Sequence, residues 1–448
     1  MHAFVVCVRC FGYIQCIQTP LALTLYTPSL MVAISKLPDF SLRAAWLLLT
    51  ALLLGCAQDV PPSEQASRAV PVGRAQLDEE RGDKLMRAGR YGEAVQAYGR
   101  ASGALSATPE LYRKLAEAHA LNQELPAAVR VYEQAIEMQT DFAKARTELA
   151  VLLTRLDRPA EALEQLERAV RDRPDYAWAH MVLGLMRFRQ GDYEAALAAQ
   201  RRALAAVPDY AEAWFNLGEV YLKQNAYAEA EEAFRRAVAS DSTAARFYNG
   251  LGRSHYQRRD YAEAALAFER AVGLDSLFAR ARFNLGNSLL RMGDKGEGRR
   301  QLALYKSLEE QENRISILLN TLMTYPDSAT VYHDLAIVYG QRGQWSEAHA
   351  RYLQAIARDS SFAPSYHNLG NLYMRNGALD QAVRLFQRAL RADSTYVLAH
   401  LALGNAQMLQ KRFDRAMASF RSGLRHDPQN ATLQRNLAVA EDIAAQAR

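Results

Sequence analysis

The feature that most constrains this chain is its self-similarity at a step of 34 residues. With Ala211 as position 1, the segment AEAWFNLGEVYLKQNAYAEAEEAFRRAVASDSTA fills one unit, and steps of 34 begin comparable units at residues 75, 109, 143, 177, 245 and 279. A second register begins at 329, 363 and 397. A unit this short cannot bury its own apolar face, so consecutive units must stack. Position 8 is small in all ten units, as in Gly82, Ala116, Gly218 and Gly404, and position 20 is Ala in nine and Gly298 in the other. Two helices close to about 8 Å only where such residues meet. Large apolar residues at position 24 (Phe234, Phe268, Tyr352, Phe386, Phe420) fill the space between. Position 27 is small in nine of ten units, which lets the next unit's first helix dock. Gly89, Gly191, Gly293, Gly343 and Gly377 stand at position 15, where the first helix must stop.

Trp214, Leu217, Gly218, Tyr221, Tyr227, Ala230, Phe234 and Ala237 occupy positions 4, 7, 8, 11, 17, 20, 24 and 27. This pattern resembles the tetratricopeptide repeat (TPR). The resemblance implies an all-α TPR α-solenoid, a right-handed superhelix of about ten helix-turn-helix repeats. Repeats 1–7 are expected over 75–294 and repeats 8–10 over 329–428, with a solvating helix over 429–448. Several residues depart from the pattern. Position 32 is Ser242, Ser276, Ser360 and Ser394 in place of the usual proline, and such a serine can cap the following helix. Asp78 and Arg146 hold position 4 in two early repeats, Leu166 replaces an aromatic, and Gln200 occupies position 24 of repeat 4. Repeats 7 and 8 are 50 residues apart, so residues 295–328 form an irregular insert. It reads as two amphipathic helices, one with Leu302, Tyr305 and Leu308, the other with Ile315, Leu318, Leu319 and Leu322.

Upstream of the array the sequence reads as an address. From Met31, Lys36 and Arg43 precede an apolar run from Ala44 to Leu54, long enough for a signal-peptide core and too short to span a membrane. The run ends Leu53-Leu54-Gly55-Cys56, which resembles a bacterial lipobox. That resemblance implies a signal peptide over 31–55, lipidation of Cys56, and a tether over 56–74 that contains Pro61, Pro62 and Pro71. Two or more acyl chains anchor stably where one does not. Ala57 and Gln58 after the cysteine imply outer-membrane sorting, facing the periplasm. Residues 1–30 have no part in this scheme and read as an upstream mis-start.

Function is expected on the concave wall, which in TPR domains is lined by first-helix positions 2, 5, 6, 9, 12 and 13. Asn216, Asn284 and Asn368 hold position 6, and Asn287, Asn371 and Asn405 hold position 9. Positions 6 and 9 share one helix face, and a carboxamide both donates and accepts, so such a row suits the backbone of an extended peptide. The same asparagines also suit helix-to-helix hydrogen bonds. Phe215, Phe283, His367, Tyr256 and Met374 supply neighbouring pockets, and Lys223, Arg291 and Arg375 at position 13 attract acidic groups.

The expected partners are therefore other proteins, with the membrane reached through Cys56. Net charge is +5, about +3 without residues 1–55, and no basic stripe with interleaved aromatics marks a nucleic-acid surface. No H-E-x-x-H helix, G-x-S-x-G elbow, phosphate loop or dinucleotide fingerprint occurs. We expect no enzyme activity, no cofactor and no metal; His119, His180, His255 and His400 fall at helix-packing positions. Two alternatives stay open: a glycan- or nutrient-binding outer-membrane receptor component, or a cytosolic or inner-membrane adaptor if Cys56 is not lipidated.

Overall fold

A computed structural model describes residues 72–104 and 107–446, which hold twenty-one helices and no strands. Cys56, the signal segment and residues 1–30 lie outside the described residues. The described residues divide into two compact bodies, one ending at Ala145 and one beginning at Arg146. The first contains α1 (Val72–Arg87), α2 (Tyr91–Ser102), α3 (Pro109–Leu121) and α4 (Leu125–Met138), and the boundary falls within α5 (Ala143–Arg155). The second continues through α6 (Pro159–Asp172), α7 (Ala177–Arg189), α8 (Tyr193–Ala206), α9 (Ala211–Lys223), α10 (Tyr227–Ser240) and α11 (Ala245–Gln257). Next come α12 (Tyr261–Leu274), α13 (Ala279–Met292), α14 (Lys295–Thr324), α15 (Ala329–Gln341) and α16 (Trp345–Arg358). It closes with α17 (Ala363–Arg375), α18 (Leu379–Ala392), α19 (Val397–Leu409), α20 (Phe413–His426) and α21 (Ala431–Gln446). Because α1 starts at Val72, the last three residues assigned to the tether are helical; Pro71 just before them is the residue type that suits a helix start.

The pairing is that of stacked helix hairpins. The ring of Phe234 lies so close to α9 and α11 that a Cβ built on Gly218 would fall 2.7 Å from it, and one built on Gly250 would fall 2.6 Å from it. One side chain therefore closes both the hairpin and the joint to the next hairpin. Ala237 at position 27 packs with Ala211 and Phe247 of the flanking first helices. The turn at position 15 is left-handed in all ten repeats: five glycines, and Gln123, Asp157, Asn225, Arg259 and Lys411 at φ 58–68°. At Asn225 the turn is completed by Ala226 N–H donating to Tyr221 O at 2.9 Å, which satisfies a carbonyl at the helix end.

The polar departures find partners. Arg100 meets Asp78 at 3.1 Å, and buried Arg146 donates to Asp172 at 3.0 Å and to Gln165 at 2.9 Å. The serines at position 32 do not cap the following helices, whose N-cap residues (Ala244, Phe278, Phe362, Tyr396) make no side-chain cap bond. The preceding aspartates do the local work instead. Asp241, Asp359 and Asp393 accept from the backbone N–H two residues on and from the hydroxyls of Thr243, Ser361 and Thr395, which hold these carboxyls below their usual range. A carboxylate accepts more strongly than a hydroxyl, so the aspartates and not the serines take the local donors.

The insert is one helix, not two. α14 runs 30 residues where α12 runs 14, and that difference equals the excess in the step from repeat 7 to repeat 8. No Gly or Pro occurs between Arg299 and Tyr325, and the two apolar groups share a phase, since Leu308 and Ile315 are two turns apart. Nothing in that stretch breaks a helix. Position 27 is here Tyr305, whose ring lies 5.1 Å from that of Phe283 and whose hydroxyl donates to Glu309. It fills the place where the next first helix would dock. α15 instead packs on Ile315, Leu318 and Leu322, with Arg342 paired to Glu312. Leu302 beside α13 and Leu318 beside α15 are sixteen residues apart. α15 is therefore displaced about 24 Å along α14 and about 160° around it, relative to a regular successor.

Candidate functional site

The first helices bring position 4 of one repeat against position 32 of the repeat before. His180 and His400 donate through Nε2 to the carbonyls of Pro174 (2.8 Å) and Ser394 (3.0 Å). Trp214 donates to Pro208 O at 2.7 Å, Arg282 to Ser276 O at 3.0 Å, and Gln434 to Pro428 O at 2.8 Å. These side chains are clips between repeats, and among the described residues no cluster of His, Cys, Asp or Glu could hold a metal ion.

With the repeats clipped in this register, the six asparagines are half-buried on the first-helix face, but they are not one uniform row. Asn284 Nδ2 donates to Asn249 Oδ1 at 3.0 Å, and Asn436 Nδ2 donates to Asn405 Oδ1 at 2.8 Å. Asn368 lies between His333 (3.5 Å) and His367 (3.1 Å), and Asn371 meets His367 at 3.3 Å. Asn216 and Asn287 make no hydrogen bond within the described protein through their side chains. Asn249 and Asn436 were missed from sequence, although Asn436 stands at position 6 of the terminal helix.

The asparagines nevertheless share one kind of surroundings, because five of the six line clefts along this face. Asn216 lines a 220 Å³ cleft with Phe215, Arg246 and Arg253. Asn284 lines one of 790 Å³ with Phe283, Tyr305 and Arg342, in the gap that Tyr305 opens between α13 and α15. Asn368 and Asn371 line one of 380 Å³, where the guanidinium of Arg375 lies 4.1 Å above the Trp345 ring. Asn405, Asn436 and Met374 line one of 400 Å³. Asn287 lies outside these four. Of the other basic residues expected here, Arg291 hydrogen-bonds the hydroxyl of Tyr256, and Lys223 is exposed.

Burial pushes the imidazoles of His333 and His367 below their ordinary range, against the hydrogen bond that His367 Nδ1 donates to Asn368 Oδ1 and the carboxylate of Asp334 beside His333. Burial also pushes the Tyr352 hydroxyl, bonded to Asn368, up to about 12. Around Asn368 the site is thus a network of neutral groups at neutral pH, suited to uncharged amide recognition rather than to proton transfer.

Among the described residues no helix is long and apolar enough to cross a membrane. No curated protein sequence matches the chain. Among solved structures it is similar to residues 41 to the end of MamA from Desulfovibrio magneticus RS-1, at 25% identity over 38% of this chain and 96% of that one, with TM-score 0.35. It is similar also to Tom70 from yeast, at 15% identity over 84% of this chain and 96% of that one, with TM-score 0.27. A third is YrrB, a TPR protein with an unusual peptide-binding site, at 18% identity over 53% and 96%, with TM-score 0.27. A tetratricopeptide-repeat family model matches residues 80–143, 147–211, 187–245, 249–306 and 367–431, and a second TPR model matches 338–377. The matches stop at 306 and resume at 338, which brackets the distal part of α14. With well over half of its length matched, the chain belongs to the tetratricopeptide-repeat family.

Proposed function

We propose that the chain is a protein-protein interaction scaffold that holds an extended partner segment along the first-helix face of its second body. The observation that carries this reading is the row of clefts lined by half-buried carboxamides. Asn216 and Asn287 retain both their donors and their acceptor, which fits them to the alternating N–H and C=O of a peptide backbone. The neighbouring asparagines keep the repeats in register. A photo-cross-linking residue placed at Asn216 or at Asn287 is expected to capture the same discrete partner in intact cells. The same residue at Arg236, on the exposed face of a second helix, is expected to miss it. Equal capture from Arg236 would remove the groove from the account.

The scaffold is proposed to work from the cell envelope, held in the outer membrane by acyl chains on Cys56 and facing the periplasm. The supporting features are the basic start, the apolar core and the small residue before the cysteine in residues 31–56. Cells fed a tagged fatty acid should label the wild-type chain and leave Cys56→Ser unlabelled. Labelling that persists in the variant would place the chain off the lipoprotein route.

A further inference from the structure

We propose that the gap beside Gln200, at the joint of repeats 4 and 5, is a pocket for a tryptophan side chain from an acidic segment of the partner. The inference rests on the groove reading above and gives it one specific contact.

At position 24, Phe234 fills the space between two successive first helices, against Gly218 and Gly250, and Phe268, Phe386 and Phe420 likewise pack between their own first helix and the next. In repeat 4 the residue is Gln200. It is fully buried, and it lies so close to Gly184 that a Cβ there would fall 2.9 Å from its Cδ. Its amide donates to Met181 O at 3.0 Å. That bond fixes the orientation, because only the NH₂ end can meet a carbonyl. The chain ends there, and the ring that would reach α9 is missing. The 220 Å³ cleft lined by Gly184, Gln200 and Asn216 lies at this joint.

The cleft has the polarity of an indole. Its walls include Leu185, Phe188, Phe215 and Val220. Oε1 of Gln200 is buried, and among the described residues no donor reaches it. A buried acceptor without a donor is costly, and a guest that supplies one recovers the difference. Tryptophan brings a large apolar body and a single N–H donor with no acceptor.

The rim sets the charge of the flanking residues. Arg246, Arg253 and Arg280 line the cleft against a single acid, Glu219. Arg253 holds Glu219 at 2.6 Å and Arg246 meets Glu212 at 2.9 Å, whereas Arg280 is exposed and has no ion partner among the described residues. A carboxylate next to the tryptophan meets that guanidinium.

Three blocked peptides test this on the full chain by ligand-observed NMR titration: acetyl-Glu-Trp-Glu-amide, its 1-methyltryptophan counterpart, and acetyl-Glu-Phe-Glu-amide. The tryptophan peptide should bind saturably, and the methylated and phenylalanine peptides about tenfold more weakly. Gln200→Phe restores the usual filling of the repeat. It should retain the fold, weaken the tryptophan peptide by about tenfold or more, and remove its advantage over the other two. Arg280→Ala should weaken all three alike and flatten their salt dependence. The proposal is overturned if wild type shows no saturable binding, if methylation of the indole nitrogen makes no difference, or if Gln200→Phe binds like wild type. Cross-linking from Asn287, which lies outside this cleft, reads the groove independently, so loss of the pocket and loss of the groove are told apart.

Discussion

Phe234→Ala is expected to lower the stability of the second body by about 3–5 kcal/mol, the range for emptying a buried aromatic site. The argument rests on geometry as well as burial. The ring is 0% exposed and closes on two helices at once, with glycine on each side. Neither side can relax into the space easily, because Gly218 and Gly250 have no side chains to move. In a stacked array stability is close to a sum of repeat and neighbour terms, and this substitution strikes one of each. Leu266→Ala, on a side chain 60% exposed, should stay within about 0.5 kcal/mol of wild type. Urea unfolding followed by far-ultraviolet circular dichroism measures both. A loss below about 1 kcal/mol for Phe234→Ala would show that the ring does not couple the two repeats.

The second large effect concerns geometry rather than stability. Two alanines inserted between Glu310 and Gln311 should turn the distal half of α14 by about 200° and lengthen it by about 3 Å. The α13 contacts at Leu302 and Tyr305 and the α15 contacts from Glu312 onward lie on either side of the insertion, so both sets persist. Packed helix axes stand about 8–10 Å apart, so α15 should swing by roughly 18 Å relative to α13. Spin labels at Asn287→Cys and Gln341→Cys read that distance, once the native Cys7, Cys10, Cys16 and Cys56 are changed to Ser; no other cysteine occurs in the chain. Helix content should be retained. A label distance that does not change would mean that α14 bends at the insertion and does not transmit the turn.

Much of this was legible in the sequence, and the rest was hidden for identifiable reasons. The hairpins follow from small residues at positions 8, 20 and 27, which act locally. The continuity of α14 was legible in principle from the lack of any Gly or Pro after Arg299, but the insert's two apolar groups suggested two elements. The fate of the asparagines was not legible. Asn284 bonds Asn249 and Asn436 bonds Asn405 across 35 and 31 residues, and such pairings depend on how far one repeat is rotated on the next. The period of a single helix does not encode that rotation. For the same reason, variants meant to probe recognition belong at Asn216 and Asn287, since removing Asn284 or Asn368 also disturbs the register. Gln200 stood out as an exception at position 24, but its cleft depends on residues from four other helices.

The ten left-handed turns have a consequence for how such a chain can change its length. Each first helix hands over to its second through the same backbone bend, whether the residue is Gly191 or Arg259. The bend is therefore a standard fitting, independent of the side chain it carries. A chain cut at one such fitting and rejoined at another keeps its path, so copy number can rise or fall in whole modules without a new joint having to be invented. α14 is the exception. A module gained or lost on either side of it changes the length of one run of hairpins while leaving the turn that α14 sets between the runs untouched.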